Sequence, residues 1–252
     1  MITDPLFFAV AIPAVLIMGV SKGGFGSGLG LMATPLVALA VPAPQAAAIM
    51  LPILMVMDVT GLVAYRGTFH RGNLRLLLAG GVAGIVLGAL TFRYFSEAMI
   101  RALLGAMALA FVAHRMHAGG TAAPAARPSK AKGLFWSVVA GLTSTIAHAG
   151  GPPLNVYLLP LKLDKAVLVG TTVIFFAVIN AVKLVPYFWL GLFDSRNLLT
   201  ALVLAPLAPV GILLGVWLMR RLSQEIFYRV AYAMLVLVGT KLLWDGARGL
   251  AA

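Results

Sequence analysis

The sequence contains no cysteine and few charged residues. Of its 252 residues, 10% are Asp, Glu, Lys or Arg, and only 7 of these are acidic. The lack of cysteine excludes disulfides, thiolate metal sites and cysteine nucleophiles. Soluble domains carry about 25% charged residues, so this chain has too few charges to cover a water-facing surface of its size. A soluble cytosolic enzyme and a disordered chain are both excluded.

Enzymatic and nucleotide-binding signatures are also missing. The chain has no His-Glu-x-x-His motif, no phosphate-binding loop ending in Gly-Lys-Ser or Gly-Lys-Thr, and no pair of intramembrane aspartates for proteolysis. No polar segment is long enough to form the nucleotide-binding domain of an ATP-driven pump. We therefore predict that the protein is not an enzyme and that it uses no cofactor and no metal.

Hydrophobic residues dominate instead, at 62% of the chain, and the mean hydropathy is +1.02. A helix needs about 20 apolar residues to cross a hydrocarbon core of about 30 Å. Apolar runs of that length or shorter occupy residues 6–20, 28–41, 44–65, 74–92, 98–114, 134–147, 152–161, 166–189, 198–218 and 226–244. They predict an all-α polytopic membrane protein with about 8–10 helical segments.

A polar linker, residues 118–133, divides the chain nearly in half. Each half opens with two short apolar runs, joined by a glycine-rich stretch, and continues with three longer runs. A repeated order of this kind indicates internal repeats. We predict two transmembrane repeats, residues 1–117 and 134–252. Each would have a broken or re-entrant helical hairpin followed by three transmembrane helices.

The net charge of +12 has a topological explanation. Lys and Arg are scattered between apolar runs and do not form the dense patches of nucleic-acid binders, so no nucleic-acid partner is expected. Cytoplasmic loops of membrane proteins collect basic residues, which assigns the loop 66–75 and the linker to the cytoplasm. The nearly neutral loop 190–197, the repeat partner of 66–75, then lies outside. The second repeat is therefore predicted to be inverted relative to the first.

The glycine-rich breaks are the predicted substrate site. Residues 21–30 hold five glycines, each of which costs about 1 kcal/mol in a helix interior, and residues 148–153 end in Pro152 and Pro153, which suit the first turn of a new helix. A helix N-terminus at membrane depth binds anions through its free N–H groups, and inverted-repeat transporters bind substrate on such discontinuous helices. The residues predicted to line the site by backbone are Gly24, Gly26, Gly28, Gly150 and Gly151.

Polar side chains inside apolar segments are the other candidates, since a charge there costs about 2.5–3.5 kcal/mol on insertion scales. Lys22, His148, Asn180 and Lys183 are predicted to donate hydrogen bonds to an anionic substrate. The alternative for each lysine is that it snorkels to the membrane surface. Asp58 would repel an anion, so it is predicted to be a proton-coupling group or the partner of a buried lysine.

Other features are expected to be structural. Gly80, Gly84 and Gly88, spaced by four, are typical of close helix contact. Tyr187 and Trp189 lie near the end of an apolar run, as expected of an interfacial aromatic belt.

The order of these motifs resembles the TauE/SafE sulfite-exporter family, also called the toluene-sulfonate uptake permease family. The resemblance covers nearly the whole chain and is carried by Lys22 to Gly28, Thr34-Pro35-Leu36, Ala46 after Pro42 and Pro44, Arg66, and His148 to Pro153. It implies transport of small anions, often sulfur-containing ones such as sulfite, sulfonates or sulfoacetate, across the bacterial inner membrane.

We therefore expect a secondary transporter for a small organic or sulfur-containing anion that works by alternating access around the paired breaks. An anion channel, a non-transport membrane enzyme and a scaffold are the alternatives. The expected partners are the anion, the lipid bilayer and a coupling ion, either a proton or sodium. A homodimer, the direction of transport and the identity of the substrate are left open.

The charge pattern predicts that both termini lie outside, in the periplasm. A tag at the C-terminus should then be cleaved by protease added to intact spheroplasts and should be protected in inside-out vesicles. A tag that is cleaved only in inside-out vesicles would contradict this topology.

Overall fold

The computed structural model describes residues 2–25, 33–91, 96–117 and 124–251, and within these ranges the secondary structure is helical, without strands. The helices of the first half are α1 Pro5–Gly24, α2 Ala33–Val37, α3 Ala43–Ala64, α4 Arg71–Thr91 and α5 Glu97–His117. Those of the second half are α6 Lys130–Ala147, α7 Gly151–Leu158, α8 Lys165–Trp189, α9 Ser195–Leu204, α10 Leu207–Arg221 and α11 Gln224–Ala251. The all-α prediction is confirmed.

Acidic side chains explain several helix starts. Asp4 accepts a hydrogen bond from the Leu6 N–H at 2.9 Å at the start of α1. Asp164 accepts one from the Ala166 N–H at 2.8 Å before α8, and Asp194 caps α9 in the same way. Such caps satisfy N–H groups that have no partner inside the first turn of a helix. Three of the few acidic residues in the chain are therefore used to begin helices.

In the part of the chain that the structure describes, five helices are long and apolar enough to cross a membrane. They are α1, α4, α8, α11 and the segment Gln45–Ala64 of α3. The bent pair formed by α9 and α10 adds a sixth if it is taken as one span. The protein is therefore a multi-pass membrane protein.

Several helix boundaries differ from the predicted runs: α6 begins at Lys130, inside the predicted linker, and α11 continues to Ala251. The run 6–20, predicted to be short, belongs to a 20-residue helix that continues to Gly24. The run 198–218 is not one straight helix, because α9 and α10 are bent by 43° where Ala205 and Pro206 separate them. Proline has no N–H for the bond to the preceding turn, and its ring clashes with the carbonyl there, so the helix breaks at Pro206.

Close helix pairs build the bundle: α1 packs against α10, α4 against α6, and α5 against α11. All three pairs meet at glycine. A Cβ on Gly19 of α1 would lie 2.7 Å from the Cα of Gly211, and a Cβ on Gly84 of α4 would lie 2.1 Å from the carbonyl oxygen of Val138. Gly105 makes an equally close backbone contact between α5 and α11. The packing role predicted for the glycines of α4 is confirmed.

The pattern of the closest helix pairs is unchanged when the two halves are exchanged. In the order of elements, α1 corresponds to α6, and α4 corresponds to the bent helix made of α9 and α10. Exchange therefore converts the α1–α10 pair into the α6–α4 pair, and both pairs are observed. The α3–α8 and α5–α11 pairs are each converted into themselves. An internal two-fold repeat would produce this pattern.

Apolar side chains cover much of the outer surface, whereas charge is buried inside. Leu39 and Trp189 are 74% and 81% exposed. Among the described residues, the Lys, Arg, Asp and Glu side chains that are buried are Lys22, Asp58 and Lys183. An apolar exterior suits contact with lipid, and charge inside a bundle is a mark of function.

The close contact at Gly84 predicts a stability difference between two glycine substitutions in α4. Gly84→Ala should lower the free energy of unfolding by about 1–3 kcal/mol, because the added methyl group forces α4 and α6 apart. Gly72→Ala is the matched control, since its Cβ would meet only the ring of His70 at 3.5 Å. Thermal unfolding in detergent micelles measures both, and equal losses for the two variants would contradict the packing explanation.

Candidate functional site

The first glycine-rich break separates α1 from the short helix α2. Its residues 26–32 include the predicted site residues Gly26 and Gly28, which lie outside the described residues. Gly24 is the last residue of α1, and a Cβ there would lie 2.6 Å from the carbonyl oxygen of Gly215. Gly24 therefore packs against α10, and its predicted role in lining a substrate site stays a prediction.

The second break places Gly150 and Gly151 at the start of α7, where both are buried. Pro152 and Pro153 carry no N–H, so the glycines supply the backbone donors at this helix start. A Cβ on Gly150 would lie 2.7 Å from the carbonyl oxygen of Ala140. A larger residue at Gly150 would thus push α7 away from α6, whatever the substrate.

A buried ion pair joins α1 to α3, and a hydrogen bond links it to α8. Lys22 lies in the last turn of α1 and is 2% exposed, and its Nζ is 2.5 Å from Oδ1 of Asp58 on α3. The second carboxylate oxygen, Oδ2, accepts a hydrogen bond from Nδ2 of Asn180 on α8 at 2.7 Å. Lys22 therefore does not snorkel to the membrane surface, and Asp58 is the partner of a buried lysine.

Lys183 lies one turn beyond Asn180 on α8 and has an exposure of 0%. Its Nζ donates to the carbonyl oxygen and to Oγ of Ser144, at 3.2 and 3.1 Å, and to Nδ1 of His148 at 3.0 Å. Three acceptors match the three hydrogens of an ammonium group. No carboxylate of the described residues forms an ion pair with Lys183. Lys183 is thus a buried cation whose hydrogen-bond partners are neutral.

His148 connects α6, α8 and α3. It ends α6 in the left-handed conformation, with φ of 50°. Because Nδ1 accepts from Lys183, the ring proton is assigned to Nε2, which lies 3.3 Å from the carbonyl oxygen of Ala47. The hydroxyl of Tyr187 lies 3.2 Å from the same Nε2 and donates to the carbonyl oxygen of Thr145 at 3.3 Å. The imidazole is therefore neutral and linked to three helices.

These contacts form two groups that meet along one face of α8. Together we call them the buried polar cluster, which consists of Lys22, Asp58 and Asn180 and of Ser144, His148, Lys183 and Tyr187. The sequence pointed to five of the seven members and missed two. Tyr187 is 1% exposed, so its assignment to an interfacial belt was wrong. Its position four residues after Lys183, on the same helix face, was the signal for it. Ser144 had no signal beyond its place near the second break.

The two short helices each carry a buried polar atom without a hydrogen-bond partner. These atoms are Oγ1 of Thr34 on α2 and Oδ1 of Asn155 on α7, and both side chains are 3% exposed. Buried polar groups in proteins nearly always have partners. Thr34 and Asn155 therefore have bonding capacity that the protein itself does not use.

The chemistry of the buried polar cluster suits an anion. Its donors are two ammonium groups, an amide and two hydroxyls, and an anion that binds at Lys183 would replace one of its three present acceptors. In the described ranges, no group of three His, Asp or Glu side chains is arranged to hold a metal ion. The cluster thus has binding groups of the kind that recognise an oxyanion.

A family model described as sulfite exporter TauE/SafE matches residues 11–242. The chain belongs to the TauE/SafE sulfite exporter family. The match runs from α1 to α11 and includes both breaks and the whole buried polar cluster. Searches of curated proteins and of solved structures found no match. This TauE/SafE protein is therefore a multi-pass membrane protein of a sulfite and sulfonate permease family.

Tyr187 offers a test of the cluster in this TauE/SafE protein. Tyr187→Phe removes the hydroxyl beside His148 and should weaken substrate binding by about 1 kcal/mol, a rise of about fivefold in the half-saturating concentration. Transport into proteoliposomes measures this change.

Tyr157→Phe is the matched control for Tyr187→Phe. Tyr157 is also buried, and its hydroxyl donates to Oδ1 of Asn73 at 3.3 Å, as that of Tyr187 does to the carbonyl oxygen of Thr145, but it has no histidine beside it. The two variants should lose similar stability, while only Tyr187→Phe should change the half-saturating concentration. An equal effect of both on transport would argue against a special role for Tyr187.

Proposed function

We propose that the protein is a secondary transporter that moves a small organic or sulfur-containing anion, of the sulfite, sulfonate or sulfoacetate kind, across the bacterial inner membrane. Membership of the TauE/SafE family supports a permease of the sulfite and sulfonate type. The observation that carries the choice of an anion is the burial of Lys183 without a carboxylate partner among the described residues.

Burying a charge without an opposite charge costs several kcal/mol. The carbonyl oxygen of Ser144, in the last turn of α6, offsets part of this cost for Lys183, because the C-terminal end of a helix dipole is negative. The partners are nevertheless neutral, so a bound anion would supply the missing opposite charge. Lys22 already has the opposite charge of Asp58 beside it, so it does not need an anion to supply one.

The position of the buried polar cluster supports alternating access. Lys22 lies at the end of α1, beside the first break, and His148 lies at the end of α6, beside the second. The exchange pattern of the helix pairs supports an internal two-fold repeat, and the charges of the loops 66–75 and 190–197 favour its inversion. Rocking of the two repeats about the breaks would open the cluster first to one side of the membrane and then to the other.

Coupling and topology complete the proposal. Both termini would lie in the periplasm and the linker 118–133 in the cytoplasm. A proton or sodium ion would drive transport. Protonation of Asp58 would release Lys22 from its ion pair, which is the physical basis for a coupling role of this carboxylate.

The central test is Lys183→Met. This variant should insert and fold with a stability close to that of the wild type, because the removal of a costly buried charge offsets the loss of its three hydrogen bonds. Its rate of sulfonate transport in proteoliposomes should be at least tenfold lower than that of the wild type. Lys241→Met is the matched control, since Lys241 is half exposed and pairs with Asp245 on α11.

If Lys183→Met shows saturable transport at the wild-type rate, Lys183 does not take part in transport. The main support for an anionic substrate is then lost. Fluxes that do not saturate in the wild type would favour the channel alternative. A folded wild type with no flux of any anion would favour the scaffold or enzyme alternatives.

A further inference from the structure

We infer that the site selects singly charged anions over doubly charged ones, and that Asp58 sets this selectivity by neutralising one of the two buried lysines. The inference rests on the proposed function, because it concerns the charge of the transported anion. It assigns to Asp58 a role in specificity that needs no direct contact with the substrate.

The count of buried charges is the first step. Lys22 and Lys183 are positive and Asp58 is negative, and these are the charged side chains buried in the described part of the chain. His148 is neutral, since its Nδ1 accepts the hydrogen bond from Lys183. Residues 26–32, which lie outside the described residues, include no ionisable residue type. With Lys22, Lys183 and Asp58 ionised, the buried polar cluster has a net charge of +1.

The second step is that these charges act together. Asn180 and Lys183 lie on one face of α8, and Asn180 donates to the carboxylate that Lys22 pairs with. Coulomb interactions in a protein interior are screened far less than in water. An anion that binds at Lys183 is therefore sensitive to the charge of Asp58 as well.

The consequence is that the site prefers an anion whose charge balances that of the buried polar cluster. One negative charge on the substrate neutralises the buried polar cluster. The second negative charge of a doubly charged anion would have no buried cation to offset it, because the charge of Lys22 is already neutralised by Asp58. An isolated charge in a low-dielectric interior is costly. Sulfonates without a second acid group and hydrogen sulfite meet this requirement, whereas sulfate and sulfoacetate, which carry two negative charges, do not.

Methanesulfonate and sulfate are the probes that isolate this effect. Both are tetrahedral, and they differ in that a methyl group replaces one charged oxygen. Transport of each is measured in proteoliposomes with the full-length protein. We expect the wild type to transport methanesulfonate at least tenfold better than sulfate. In Asp58→Asn the cluster gains one net positive charge. The ratio of methanesulfonate transport to sulfate transport should therefore fall at least tenfold.

Glu225→Gln is the matched control for the loss of one acidic charge. Glu225 pairs with Arg229 at the surface of α11, where its side chain is 67% exposed. This variant should keep the wild-type ratio. A fall in the ratio equal to that of Asp58→Asn would overturn the inference, because it would show an effect of overall charge.

A double variant covers the case in which Asp58→Asn does not fold. Lys22→Gln combined with Asp58→Asn removes both members of the ion pair and restores a net charge of +1. Its affinity should fall, but its ratio should equal that of the wild type. A lower ratio in the double variant, or an unchanged ratio in a folded Asp58→Asn, would overturn the inference.

The wild type separates the two proposals. A wild type that transports anions but prefers sulfate would overturn the inference and leave the proposed function standing. A folded wild type that transports neither probe nor any other sulfonate would overturn the proposed function itself.

Discussion

The carboxylate of Asp58 joins three helices inside an apolar bundle, and its ion pair with Lys22 depends on the surrounding packing. A buried ion pair offsets its desolvation cost only when the geometry is good and the remaining lone pairs have partners, and here Asn180 of α8 bonds the second oxygen. Lys22 reaches Asp58 because α1 stays helical through its last four residues. The close contact of Gly24 with Gly215 on α10 holds this end of the helix in place. The Lys22–Asp58 ion pair thus depends on the close backbone packing of α1 against α10.

Glycine has two uses in this protein, and the structure separates them. In α4, α5 and α1, glycine allows backbones to approach so closely that a methyl group would collide with a neighbouring carbonyl or Cα. Around the second break, Gly150 and Gly151 precede two prolines and allow a new helix to begin inside the bundle. Gly150 also packs tightly against α6. A glycine-rich stretch in a membrane protein is therefore no sign of a binding site until its neighbours are known.

The two groups of the buried polar cluster differ in charge, and this difference determines which kind of ligand the site can hold. Lys22 and Asp58 form a neutral pair beside the first break, whereas Lys183 is held beside the second by Ser144 and His148, which carry no charge. A membrane protein that buries a cation with neutral partners has a reason to bind an anion. This agrees with membership of a sulfite exporter family.

Apolar runs, breaks and buried charges could be predicted from the sequence, because the hydrophobic length of a span, the cost of intramembrane charge and the backbone limits of glycine and proline are local properties. Lys22, Asp58, His148, Asn180 and Lys183 were all found in this way. The partners of these residues could not be found, since Asp58 and Asn180 are 122 residues apart and Lys183 and Ser144 are 39 apart. Only the tertiary structure decided that Lys22 is paired, that Lys183 is held by neutral groups and that Tyr187 is buried, because these depend on which helix faces meet at the glycine contacts.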